Sequence, residues 1–340
     1  MALFLGPADL ARLFASGAVT PHDCVDAVEA SFREHGEGAV GLLPRAILTA
    51  DGEAPAPRSR ALKLSASYLR TSRLMGASLY STHFRPGDVD MWLTIFSGET
   101  GRMQGVLCGK ALSLWKTGAA AAVAARHLAR EDAIRTAIIG TGRYALAQLR
   151  CLAAVRSLRE VRCFSRDAMK REAFVRETQA ALPEIRIVGT TSAEAAVRDA
   201  DIVVTITNSP TPVVHGNWLA PGVHCNAMGQ HSPGTRELDT AAIRDAAVFV
   251  DAREQAFAEK GEILLPIAEG AISREHVRGE LGEVIAGRVA GRPSRDARTV
   301  FCSGGTALEY MTLCAMLLDK ARGAGVGQEL DDRPDGGNDA

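Results

Sequence analysis

Residues 136–149 read Thr-Ala-Ile-Ile-Gly-Thr-Gly-Arg-Tyr-Ala-Leu-Ala-Gln-Leu: an apolar run, a glycine turn and the start of a helical pattern. Gly140, Gly142 and Ala145 fall at the G-x-G-x-x-G/A spacing. There the first glycine permits a tight turn, the second lets backbone N–H groups approach a pyrophosphate, and the third small residue lets helix pack close on strand. With Thr141 between the glycines, the stretch is a candidate dinucleotide site, because the unpaired N–H groups and dipole of a helix N-terminus favour a diphosphate. A second strand, residues 160–165, follows at βαβ spacing and runs into Phe164-Ser165-Arg166. An acidic residue there would suit the ribose 2′-OH of NAD. A hydroxyl and a guanidinium suit a 2′-phosphate, so Ser165 and Arg166 favour NADP(H) over NAD(H), with Asp167 as the competing NAD-type acid. Thr205, Thr207 and Asn208 end a strand near 201–205, and Met228 and Gly229 end another, at the sheet edge where ligands bind.

The elements that must position these residues follow from periodicity. Beyond residue 130, short apolar strands alternate with helical patterns at 137–139, 160–165, 185–188, 201–205, 223–229, 247–251 and 299–301, with Ser192 capping a short helix. This is the pattern of a Rossmann-type, doubly wound parallel sheet in an α/β chain. The first 129 residues read differently. Two helices lie within 9–34, the first capped by Asp9 and the second by Thr20-Pro21, and strands follow at 42–48, 77–82, 91–96 and 103–108. Residues 51–60 read as a loop, with turns at 85–88 and 97–101. An alanine-rich helix over 111–130, with Lys116 and Thr117 near its start, closes this half and places a domain boundary near 130. Residues 323–340 change to Gly, Asp and Pro without periodicity and read as a disordered tail.

Bulk properties narrow the function classes. A net charge of −1 and no basic stripe argue against nucleic-acid binding. No apolar stretch approaches the roughly 20 residues of a membrane span, and the start has no basic n-region, so a cytoplasmic protein is expected. The seven cysteines form no C-x-x-C pair and the eight histidines no H-E-x-x-H spacing, so neither disulfide nor metal is expected.

Further motifs run through the whole chain in order: Pro44-Arg45, Gly98-Glu-Thr-Gly101, Leu112-Ser-Leu-Trp-Lys-Thr-Gly-Ala119, Gly140-Thr-Gly142, Ala200-Asp-Ile-Val-Val-Thr205, Asn226-Ala-Met-Gly229, Pro233-Gly-Thr-Arg-Glu-Leu-Asp239 and Gly279-Glu-Leu-Gly282. In these the chain resembles the ornithine cyclodeaminase and mu-crystallin family. The resemblance implies a homodimer in which a Rossmann domain (130–302) faces a second α+β domain for substrate binding and dimerisation (1–129 plus 303–322). It also implies hydride exchange between a nicotinamide and the Cα of an amino or imino acid, with Arg45 and Lys116 holding the substrate carboxylate and Thr117 touching the cofactor. The chain departs from the pattern in three places. Lys116 stands where arginine is usual, Ser78 stands where the family carries its site lysine, and His231 stands where cyclodeaminases carry an aspartate. No acidic residue occurs between Glu53 and Asp88, which weakens cyclodeamination. The expectation is an NADPH-dependent reductase of an imino acid or related C=N substrate, with His231 as proton donor near neutral pH and Ser78 and Lys116 in the catalytic cluster. An amino-acid dehydrogenase, a cyclodeaminase and an NADPH-binding protein with little catalysis remain as alternatives. His83 and Lys63 could approach the same cleft, and Arg45, Lys116 and His231 each admit a plain reading as solvated surface groups.

Overall fold

Strand-like segments without helices between them must pair with their neighbours. The computed structural model, which describes residues 1–49, 61–82 and 89–330, shows the sheet that results. β1 (Ala2–Leu5) precedes α1 (Pro7–Ala15) and α2 (Pro21–Gly36). β2 (Val40–Thr49), β3 (Ala61–Leu69), β4 (Leu74–Thr82), β5 (Val89–Ser97) and β6 (Met103–Cys108) then pair antiparallel in sequence order, and β1 joins β6 in parallel. Thr20 caps α2 by accepting the Asp23 N–H at 3.2 Å. Asp9 does not cap α1 as expected. Pro7 starts that helix earlier, Gly6 is the cap residue, and Asp9 reaches back to accept the Gly6 N–H at 3.0 Å.

A bulge in β2 sets two residues, Pro44 and Arg45, against one residue of β3, between the pairs Leu43–Ala66 and Ala46–Leu64. Bulges tolerate proline and re-aim the side chain beside it, and here that side chain is Arg45. Across β3 and β4, Lys63 stands opposite Tyr80 and Ser65 opposite Ser78 on one face. The opposite face exposes Leu43, Leu48, Leu62, Leu64, Leu79 and Trp92.

The alternating pattern after residue 130 builds the second sheet. Its elements are β7 (Arg135–Ile139), α4 (Ala145–Val155), β8 (Glu160–Phe164), α5 (Ala168–Ala181), β9 (Arg186–Gly189), α6 (Ala193–Val197), β10 (Ile202–Thr205), β11 (His224–Ala227), α7 (Thr240–Arg244), β12 (Ala247–Val250), α8 (Arg253–Glu259), α9 (Gly261–Ala268), β13 (Val277–Glu280), α10 (Leu281–Ile285) and β14 (Thr299–Cys302). All eight strands are parallel, in the order β13-β12-β14-β11-β10-β7-β8-β9. The order reverses between β7 and β10, the switch point at which such sheets open a ligand crevice beyond their strand ends.

α3 (Gly109–Leu128) joins the two halves. Ala119 to Ala125 are fully buried, and the Asn226 side-chain amide donates to the Ala121 carbonyl at 3.2 Å, so the slim helix face seats directly on the parallel sheet. α11 (Leu308–Ala324) returns to the first sheet, with Met311 beside Gly76 and Leu318 beside Gly105. One apolar core runs from the first sheet through α2, α3, α4 and α11 to the parallel sheet, and a second fills that sheet's other face.

The expected disordered tail is corrected over its first eight residues. α11 continues to Ala324, Gly325 closes it at φ 63°, and β15 (Gln328–Leu330) pairs antiparallel with β1. Residues 331–340, the loop expected at 51–60, the turn expected at 85–88 and His83 lie outside the described residues. β1, β3, β13 and β15 were not expected from periodicity. No helix among the described residues is long and apolar enough to cross a membrane.

Candidate active site

One cleft of about 1050 Å³ opens at the switch point, between the carboxyl ends of the parallel strands and the inner face of the first sheet. Its glycine end is built as the motif requires. Gly140 takes φ 107°, and a Cβ there would lie 2.6 Å from the Ile206 carbonyl oxygen, so the loops after β7 and β10 touch through a residue that must be glycine. At Gly142 a Cβ would meet nothing within 4 Å and would project into the cleft, which leaves the backbone at the start of α4 open to a ligand. Thr141 donates to the Ser165 hydroxyl at 2.9 Å, joining the glycine loop to the end of β8.

Ser165 and Arg166 line this end of the cleft with Lys170 and Arg143. Asp167 caps α5, accepting the Lys170 N–H at 3.0 Å, which commits one of its oxygens to the helix. Thr117, Thr207, Asn208, Met228 and Gly229 line the wall as expected. Two expected cofactor contacts do not. Thr205 is buried within β10 with its hydroxyl turned to the Asn226 carbonyl at 3.5 Å, because strand alternation sends it to the sheet face. Ala145 is buried in α4, where it serves packing alone.

Glu237, unremarked within the Pro233–Asp239 motif, holds the floor. Its two carboxylate oxygens accept the Thr207 N–H at 2.6 Å and the Gly229 N–H at 2.7 Å, fastening the loops after β10 and β11 to each other. Burial pushes its pKa up to about 7, against the hydrogen bond from Thr207, and the nearby Glu262 adds to the rise. Beneath it Lys260, fully buried, pairs with Glu262 at 3.3 Å and donates to the Gln230 carbonyl at 2.6 Å, which sets the loop that carries His231.

The far end of the cleft gathers the expected substrate residues. Arg45 is part-buried, with Nη1 on Glu259 of α8 at 2.6 Å and Nη2 donating to the Gly304 and Gly305 carbonyls at 3.1 and 2.7 Å. It therefore ties β2 to the second domain as well as facing the cleft, and its Nε–H is buried without a hydrogen-bond partner. Lys116 lies 3.2 Å from Glu309 Oε1, without a well-directed hydrogen bond to it, and 5.2 Å from the centre of the Tyr310 ring. Ser78 shares a 2.7 Å hydrogen bond with Ser65. Glu259 and Glu309 carried no sequence signal, since only the folded chain brings them to Arg45 and Lys116.

His231 opens on this end of the cleft but does not fit the expected role of proton donor near neutral pH. Desolvation within the cleft, then the positive charges of Lys260, Arg45, Lys116 and Lys63, hold its pKa well below the ordinary histidine value. The ring's own exposure tempers the first cause; the four like charges act in the same direction, so the neutral imidazole prevails at pH 7. The charged side chains lining this half, Arg45, Lys63, Lys110 and Lys116, are all cations.

The ornithine cyclodeaminase/mu-crystallin family model matches residues 16–325. A Δ(1)-pyrroline-2-carboxylate reductase of Bacillus cereus is 37% identical over 234 residues, 68% of this chain and 71% of the relative. Among solved structures, the Δ(1)-pyrroline-2-carboxylate reductase of Thermococcus litoralis in complex with NADH and L-proline superposes with a TM-score of 0.88 at 28% identity, covering 96% of this chain and 100% of that one. An archaeal alanine dehydrogenase dimer with bound NAD gives 0.87 at 29% identity, covering 98% and 99%.

Proposed function

The chain belongs to the ornithine cyclodeaminase/mu-crystallin family, and from that premise we propose that it is a nicotinamide-dependent reductase of imino acids. The observation that carries the substrate class is the uniformly cationic lining at the end of the cleft away from the glycine loop. A carboxylate placed there meets Lys116, whose partner Glu309 is poorly aligned, and the positive charge of Arg45. The open backbone at Gly142 would hold the pyrophosphate of a reduced nicotinamide dinucleotide, which when bound would supply the hydride. The loops of Thr207 and Gly229, fastened by Glu237, provide a rigid wall against which the substrate's C=N carbon is presented.

NADPH is the cofactor we favour, although the two solved relatives above hold NADH and NAD. Ser165, Arg166 and Lys170 offer a hydroxyl and two cations to a 2′-phosphate, and the one nearby acid, Asp167, is engaged in capping α5. The exposed leucines and Trp92 on the outer face of the first sheet support a homodimer formed through that face, since apolar groups so clustered mark an interface. The seven cysteines are all unpaired and buried, in keeping with a reducing cytoplasm.

The test is an NADPH-oxidation screen with cyclic imino acids, keto acids plus amines, and neutral imines. Turnover confined to substrates that carry a carboxylate next to the C=N carbon is the expected result. Tight NADPH binding with no turnover across the panel would replace the reductase with a binding protein.

A further inference from the structure

We propose that Lys63 is the catalytic acid of this site, delivering a proton from its Nζ to the imine nitrogen of the substrate. The inference rests on the imine-reduction reading and adds the one group that reading lacks. Lys63 stands on the cleft side of β3, directly opposite Tyr80 and two residues along the same face from the Ser65–Ser78 pair.

The other groups in reach do not suit the step. The guanidinium of Arg45 does not give up its proton in a protein, and it is already engaged with Glu259 and two carbonyls. Lys116 faces Glu309. Ser65 and Ser78 share a hydrogen bond and, among the described residues, have no base or acid bonded to them. Burial, partly offset by the charge of Arg45, raises the Tyr80 pKa, and His231 is held neutral. Lys110, the remaining lysine of this wall, begins α3 beside Ser113, whose hydroxyl bonds its carbonyl and the Tyr144 hydroxyl. Lys63 has no carboxylate ion pair among the described residues; its Nζ lies over the Tyr80 ring, 5.8 Å from the centroid.

Its surroundings also suit release of a proton. Arg45 on β2, Tyr80 on β4, Glu259 on α8 and His231 after β11 face it. Burial first, then the charge of Arg45, lower the Lys63 pKa, and Glu259 opposes them only in part. In the reaction the imine nitrogen takes the proton from Lys63 Nζ while the imine carbon takes the hydride from the reduced nicotinamide. The C=N π bond breaks, one N–H and one C–H bond form, the nicotinamide is oxidised, and neutral Lys63 recovers its proton from water in the cleft.

The experiment uses the full chain with saturating NADPH and Δ1-pyrroline-2-carboxylate, comparing wild type, Lys63→Met and Lys63→Arg from pH 6 to 9.5. Loss of a general acid costs about 100-fold or more in kcat. The deficit of Lys63→Met should reach that size at pH 9 and shrink towards pH 6, where the substrate arrives already protonated. Lys63→Arg should show the same deficit at pH 9, since a guanidinium keeps its proton. An amine-reactive label, read by peptide mass, should modify Lys63 of the wild type with a midpoint below that of an ordinary lysine, independently of activity. Restoration of kcat by Lys63→Arg, a deficit that does not vary with pH, an effect on KM alone, or an ordinary labelling midpoint would each overturn the assignment. A wild type that reduces no imine at all would instead refute the proposed function, and the labelling would still report on Lys63.

Discussion

Gly142→Val should separate cofactor binding from folding, because this glycine lines the cleft and a Cβ there would stand in open space. No described protein atom lies within 4 Å of a Cβ at position 142, and the backbone there is outside the left-handed region, so a Cβ meets neither a clash nor backbone strain. Replacing glycine at a compatible position even gains about 0.4–1 kcal/mol through the unfolded chain. The valine side chain fills the space over the backbone at the start of α4, where phosphate oxygens would accept N–H bonds. A hydrogen bond to a charged group is worth about 1.5–3 kcal/mol, so losing one or two raises the Kd for NADPH about 10-fold or more. Gly140→Ala is the contrasting variant. Its φ of 107° and the Ile206 oxygen 2.6 Å from the new Cβ make it lose stability before it loses anything else. Titration calorimetry with NADPH and thermal unfolding of both variants check this. Gly142→Val binding NADPH within threefold of wild type, or melting as far below wild type as Gly140→Ala, would refute the reasoning.

Four further outcomes are expected. Ser165→Asp combined with Arg166→Ala should move the NADPH-to-NADH ratio of kcat/KM towards NADH by about 100-fold, by removing a cation and adding an acid where the 2′-phosphate would sit; an unchanged ratio places the ribose elsewhere. Glu309→Ala strips the buried Lys116 of its carboxylate and removes the acceptor of the Thr306 N–H and hydroxyl, each at 2.7 Å. It should cost about 3–5 kcal/mol, seen as a fall in Tm. Glu237 titrates at about 7 in the folded state, above the ordinary carboxylate value, so its contribution to stability is complete below that ordinary value and is lost as pH rises through 7. The slope of Tm between pH 5 and 8 should therefore flatten in Glu237→Gln. Leu64→Glu places a charge in the exposed apolar face and should halve the mass measured by sedimentation; a dimer that persists would locate the interface elsewhere.

The parallel sheet was legible in the sequence because its central strands are apolar on both faces and alternate with capped helices, as at Ser192 between β9 and β10. The glycine loop was legible for the same reason that it works, since few residues fit φ 107° against a carbonyl. β3 was not. Its inner positions Lys63 and Ser65 face the cleft and are polar, as is the buried Ser67 beyond them, while Leu62 and Leu64 face outwards, so its pattern inverts that of a strand on a core. β1 and β15 are short strands that pair with each other across nearly the whole chain, and nothing local marks them. The same limit applied to the site. Arg45 and Lys116 were found by motif, but their partners Glu259 and Glu309 lie far along the chain from them, and the cations that lower the His231 pKa come from separate elements.

The proposed reaction delivers hydride, within this cleft, to a C=N carbon whose neighbouring carboxylate is held by cations. Its most direct test compares Δ1-pyrroline-2-carboxylate with 1-pyrroline, which lacks only the carboxylate, using NADPH with both hydrogens at nicotinamide C4 replaced by deuterium. Deuterium at Cα of the proline formed is expected, with a kcat/KM for the carboxylated imine about 1000-fold above that for 1-pyrroline, the sum of two charge-assisted contacts. Equal kcat/KM values for the two imines, or proline formed without deuterium at Cα, would contradict it.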